Sequence, residues 1–166
     1  FLQRLLSSVT GYSVALVTRT LPQCWKFQAH QVKIAVSTND TDCQWMDHAR
    51  GDLGRSVPAG MLFQGTAGIC AAATLPYYGG GLRLFPFCHH GKMHLRVGRI
   101  PPLTGFFNIP RIFAGTYRER KNFGCLDFVA QQFRIELQSP YPLQQAGESM
   151  GAVQRVDLQV LDTVQK

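Results

Sequence analysis

The chain has 166 residues, with 17 Lys plus Arg against 10 Asp plus Glu, a net charge of +7 and a pI near 9.5. This length fits one domain with a core of its own, and an apolar share of 45% excludes disorder as the main state. Charged residues make up only 16%, against about 25% in an average soluble domain, so part of the surface is expected to meet something other than water.

Residues 1–22 open as FLQRLLSSVTGY without an initiator Met, which leads us to expect a fragment of a longer protein. Leu2, Leu5, Leu6, Val9, Ala15 and Leu16 recur near a helical period, and Pro22 ends the pattern, so a lead-in helix is expected there. Arg4 and Arg19 interrupt any apolar run of membrane length. From residue 23 onward the period changes. Val32, Ile34 and Val36 alternate with Lys33, Ala35 and Ser37, the signature of a half-buried strand that ends in the turn-formers Thr38-Asn39-Asp40. Residues 39–56 are charged and aperiodic and read as a hairpin excursion or long loop.

The uncharged stretch from Ser56 to Leu82 is long enough to span a bilayer, but Gly60, Gly65, Gly68, Gly79–Gly81, Pro58 and Pro76 would break a helix there repeatedly. It reads as buried β-structure, with one or two strands in Met61–Leu75 and another in Gly80–Phe87. Lys92–Val97 then places Met93, Leu95 and Val97 on one face of a strand. Pro110 starts a short helix near residue 110, followed by a basic run. Cys125–Leu137 and Val156–Leu161 close the series, with Phe133, Ile135 and Leu137 alternating in the first and Val156, Leu158 and Val160 in the second. The fold class that follows is mainly β: a sandwich of antiparallel strands over residues 23–166, led by an N-terminal helix and carrying a short helix near residue 110.

Chemistry is sparse. Cys24, Cys43, Cys70, Cys88 and Cys125 are odd in number and form no CxxC pair, which points to a reducing, cytoplasmic setting and to buried, inert thiols at Cys70 and Cys125. Cys88-His89-His90 and His94 have the wrong spacing for a zinc site, so no metal is expected and the segment reads as a solvated turn. No GxSxG, GxxxxGK[ST] or GxGxxG occurs. Arg111, Arg118, Arg120 and Lys121, with Tyr117 and Phe123 between them, suit phosphate, but no nucleic-acid signature accompanies them, and anionic lipid head groups would serve equally. Glu148 sits in PLQQAGESMG between Gly147 and Gly151, and a carboxylate on such a turn can reach a substrate proton as a general base.

YYGGGLRLFPF, KMHLRVG, NIPRIFAGTYR, LDFVAQQFRIEL and PLQQAGESMG occur in an order that resembles the C-terminal domain of the diacylglycerol kinase-like lipid kinases, the group of bacterial diacylglycerol kinases and of sphingosine and ceramide kinases. The resemblance implies the lipid-side β-sandwich of an ATP-dependent kinase. The GGDGT-type loop that binds ATP and Mg²⁺ in that family does not occur here, so those ligands are expected on an N-terminal nucleotide-binding domain, and this chain alone is expected to be inactive. Glu148 matches the family's general base and Gly147 its supporting turn, with Ala146 in place of the family Asp. The family's Asp-Gly-x-Leu-Asp loop for structural Mg²⁺ corresponds to Gly80-Gly81-Leu82-Arg83-Leu84, which lacks both carboxylates. Arg83 and Arg118 are candidates for meeting phosphate or a lipid head group, because a guanidinium binds phosphate bidentately. The expected partners are a lipid substrate, the nucleotide domain and the face of a membrane, not nucleic acid. A non-catalytic lipid- or membrane-surface-binding β module is the alternative reading.

Overall fold

The computed structural model describes residues 32–46, 54–77, 83–89, 91–99, 107, 108, 110, 111 and 125–161. The expected helix over 1–22 lies outside them. Of the short helix near residue 110, residues 107, 110 and 111 are described as helical.

Among the described residues nine strands form two antiparallel sheets: β1 Val32–Thr38, β2 Cys43–Met46, β3 Ser56–Val57, β4 Gly60–Ala67, β5 Ile69–Ala73, β6 Met93–Gly98, β7 Cys125–Ala130, β8 Gln132–Gln145 and β9 Glu148–Gln159. One sheet has the order β4-β1-β8-β9 and the other β3-β2-β7-β6-β5. The expected β-sandwich is thus what the chain builds.

Its core follows from the alternation. Ile34 and Val36 of β1 and Phe133 and Ile135 of β8 meet Met93, Leu95 and Val97 of β6 and Phe128 and Ala130 of β7. All of these side chains are buried, and each full burial of a large apolar side chain is worth about 1.5–3 kcal/mol. Pairing fixes the register: Val36 faces Ile135, and Leu95 faces Phe128.

Two corners carry the chain between the sheets and are tied together. At the β1–β2 corner the Asp40 carboxylate accepts the Asp42 N–H at 2.8 Å and, from the β7–β8 corner, the Gln131 N–H at 2.7 Å. The buried Thr38 hydroxyl donates to the Gln132 carbonyl at 2.6 Å and accepts the Asp40 N–H at 3.1 Å. A third crossing runs from β4 into β5, where the Gly68 N–H donates to the Gly98 carbonyl at 2.9 Å.

Residues 39–56, expected as a hairpin excursion or long loop, include β2, which pairs antiparallel with β3 through Cys43↔Val57 and Gln44↔Ser56 and on its other side sets Gln44–Met46 against Asp127–Val129. Two expectations need correction. The strand expected over Gly80–Phe87 is not one in its described part: residues 83–85 are irregular and 86–87 turn, because Pro86 has no N–H for a ladder and Phe85 is anchored by its ring instead. Cys125–Leu137 is two strands, since the chain turns at Gln131 and changes sheet.

Candidate functional site

Glu148 is placed by the longest hairpin of the fold. β8 and β9 pair from Gln132↔Gln159 out to Gln145↔Glu148, and the loop between them is only Ala146-Gly147. Both loop residues have positive φ, 50° at Ala146 and 92° at Gly147, the type I′ pattern whose twist matches that of a hairpin. Gly147 takes this conformation without cost, whereas Ala146 does not. Among the described residues β1 pairs with β8 no further than Ile34↔Leu137, so the last eight residues of β8, about 26 Å at ~3.3 Å per residue, run on with β9 as their one described partner. Glu148 stands exposed at the tip of this hairpin. Between Gln138 and Gln154 it is the single charged side chain, so no neighbour on the ribbon pairs with it.

Arg83 is exposed. Its segment is held by Phe85, which is 1% exposed, donates its N–H to the Pro76 carbonyl at 3.1 Å and stands edge-on to His94 with ring centroids 5.6 Å apart. His94 lies near the start of β6, and Met93 pairs with Ala130 at the β7–β8 corner. From that corner the ribbon runs thirteen rungs to Glu148, about 40 Å. The fold therefore does not bring Arg83 and Glu148 into one site. Arg118 lies outside the described residues. Arg111, of the same basic run, is exposed and donates to the Asn108 side chain at 3.2 Å.

Sequence reasoning missed a charged cluster on the outer face of the second sheet. Arg96 grips Asp127 in a two-pronged pair, Nε to Oδ1 and Nη2 to Oδ2 at 2.8 Å each, and His94 Nε2 lies 3.2 Å from Oδ1. All three side chains are at most 3% exposed. Phe85 and Phe87 stand against His94, the latter with centroids 5.3 Å apart. β6 is thus buried on both faces, with Met93, Leu95 and Val97 on one side and His94 and Arg96 on the other. The one signal in the sequence is a pair of polar letters between three core positions, and alternation alone does not tell whether their face is wet or covered. His89, by contrast, is exposed in the expected turn, which is closed by the Lys92 N–H on the His89 carbonyl at 3.0 Å and by Lys92 Nζ on the Asp42 carboxylate at 2.7 Å.

Cys43, Cys70 and Cys88, the thiols described, are poor nucleophiles. Desolvation pushes Cys43 and Cys70 up to about 11 and raises Cys88 as well. Cys70 is exposed at the sheet edge rather than buried as expected, yet its thiolate is disfavoured all the same. Among the described residues no three Asp, Glu, His or Cys side chains group to hold a metal ion, and no helix is long and apolar enough to cross a membrane. A groove of about 250 Å³ lies beside the β7–β8 corner, lined by Asn39, Gln132, Arg134 and Asp157 among others, and is remote from Glu148.

No protein-family model matches the chain, and no curated protein matches it in sequence. Solved structures do match in shape. The crystal structure of a "putative diacylglycerol kinase" from Bacillus anthracis str. Sterne aligns with a TM-score of 0.50 at 14% identity, over 78% of this chain and 37% of that one. A crystal structure of a diacylglycerol kinase from the same strain aligns with a TM-score of 0.47 at 14% identity, over 83% of this chain and 44% of that one. This chain thus spans well under half of either structure. Its two antiparallel sheets are similar in fold to one part of the first, a diacylglycerol kinase by name.

Proposed function

We propose that this chain is the substrate-side, C-terminal domain of an ATP-dependent lipid kinase and that Glu148 is its general base. The observation that carries the reading is the placement of Glu148: an exposed carboxylate on a two-residue turn at the far end of a projecting hairpin, at the position that matches the family's base. The likeness in fold to part of a structure named for diacylglycerol phosphorylation supports it.

In this reading the Glu148 carboxylate accepts the proton of the lipid hydroxyl as that oxygen attacks the phosphoryl donor. Gly147 holds the turn that presents it. In this reading ATP and Mg²⁺ are bound by an N-terminal nucleotide-binding domain, as the family resemblance implies. Arg83 then contacts an anionic head group or membrane surface away from the reacting atoms, and Arg118 is assigned to phosphate. The acting protein is cytoplasmic and works at the membrane face.

The test joins this chain to its native upstream segment and measures lipid phosphorylation by Glu148→Gln. Loss of a positioned general base lowers kcat by about 10²–10⁴-fold, with lipid binding and the circular dichroism spectrum unchanged. Full activity in the variant overturns the assignment. Salt-sensitive binding to anionic vesicles without any phosphorylation by the wild type supports the membrane-surface module instead.

A further inference from the structure

The free edge of β9 is a self-complementary surface. β9 is an outer strand of its sheet, and among the described residues it pairs with β8 alone. Nine of its twelve residues are exposed, namely Glu148 to Ala152 with Gln154, Arg155, Asp157 and Gln159, while Val153, Val156 and Leu158 are half-buried. A long uncovered strand edge is a template for another strand, and proteins that keep such edges single blunt them with bulges, prolines or inward-pointing charges. Here the two register irregularities lie in the outer ribbon, between Glu136 and Tyr141 and between Pro142 and Gln144, and the segment Arg155–Gln159 is regular.

The charges on this regular segment invert about Val156, with Arg155 on one side and Asp157 on the other, so the strand is complementary to a reversed copy of itself. Antiparallel pairing with a second copy on a two-fold axis at Val156 sets Arg155 opposite Asp157 of that copy, and Asp157 opposite its Arg155. Directly opposed residues of an antiparallel pair have Cβ atoms about 4.5–5.5 Å apart, within reach of a charge pair. Within one chain the Asp157 carboxylate already accepts Arg134 Nε at 2.7 Å and Arg155 Nε at 2.8 Å, and these guanidinia hold it below the ordinary carboxylate range. Glu136 stands across the ladder from Arg155. Arg134 and Arg155 against Glu136 and Asp157 sum to zero in each copy, so the paired ladder is neutral.

The same register explains a second feature. It brings Val160 and Leu161 of one copy alongside Ala152 and Gly151 of the other, and Leu161 is 78% exposed in the single chain. The projecting ribbon, which β1 does not cover and which as an isolated two-stranded hairpin is marginal in water, gains a third strand over 151–155.

We propose that β9 is a homodimer interface in which two copies pair antiparallel about Val156 and each buttresses the other's ribbon. This rests on the edge and its charges and is independent of the kinase reading. The experiment is sedimentation equilibrium of the full natural chain from micromolar to near-millimolar concentration, for the wild type, Arg155→Glu, Asp157→Arg and an equimolar mixture of the two variants. Arg155→Glu sets two carboxylates against two, and Asp157→Arg sets guanidinia against guanidinia, so each alone loses at least about tenfold in association constant. In the mixture both positions are again of opposite charge, and a heterodimer forms. Circular dichroism confirms that each variant folds, and should Asp157→Arg not fold, Arg155→Glu against wild type decides. A wild type that stays monomeric, an Arg155→Glu variant that dimerises as well as wild type, or folded variants that do not associate on mixing overturns the proposal.

Discussion

Asp127→Ala probes the buried cluster most directly. The carboxylate accepts two guanidinium hydrogen bonds at 2.8 Å and has His94 Nε2 at 3.2 Å, in a site where all three side chains are at most 3% exposed. Its removal strands the Arg96 guanidinium in a dry layer without its carboxylate. Breaking such a pair from one side costs about 3–5 kcal/mol, a large part of the 5–15 kcal/mol that hold an average domain together. At about 2–4 °C per kcal/mol for a chain of this size, the melting temperature falls by about 6–20 °C. Urea unfolding followed by circular dichroism measures it, with m unchanged if the native state is otherwise intact. The double variant Arg96→Met/Asp127→Leu removes both charges and keeps apolar volume, so it recovers most of the loss. The reasoning fails if Asp127→Ala stays within about 1 kcal/mol of wild type, or if the double variant is as unstable as the single one.

Two further outcomes are expected. Ala146 holds φ at 50° in the turn, a conformation that costs an L-residue about 1–2 kcal/mol, so Ala146→Gly or Ala146→Asn raises stability by up to about 1 kcal/mol in the same urea assay; a loss of stability contradicts the turn assignment. Lys92 holds the Asp42 carboxyl below its ordinary value of 3.8, chiefly through their hydrogen bond. A depressed carboxylate contributes stability that is present above its unfolded pKa and lost as pH falls through the folded one. The difference between wild type and Asp42→Asn is therefore constant near neutrality and shrinks below about pH 4, which urea midpoints across pH read directly.

What could be read from sequence divides along a physical line. Strands whose alternation is enforced by one buried face, such as Val32–Val36 and Phe133–Leu137, declared themselves, because the period of two is written in apolar letters. β2 did not, since four residues amid charges become a strand only through pairing with β7. His94 and Arg96 carry no such mark, because polar letters between core positions normally mean a wet face, and nothing local shows that Asp127, 31 residues on, neutralises Arg96 and that Phe85 covers His94. The ribbon was legible at its tip, where glycines flank Glu148, but not along its length, where Pro140, Pro142 and Gly151 mask a strand that tolerates them because that stretch of β8 has no β1 partner. The hairpin turn was hidden for another reason: Ala146 occupies a position where Asn, Asp or Gly is the usual signal.

The double burial of β6 has a consequence in time. β6 and β7 each have a strand on both sides and, over much of their length, side chains packed on both faces, so their amides reach water only when the whole molecule opens. Among the described residues the outer half of the ribbon that carries Glu148 has no strand beyond β8 and β9 and is mostly exposed, so it opens by fraying from the tip. One chain thus combines a clock set by global unfolding with another set by a local opening. The exposed Glu148 sits on the fast one, while the buried charge pair keeps the slow one.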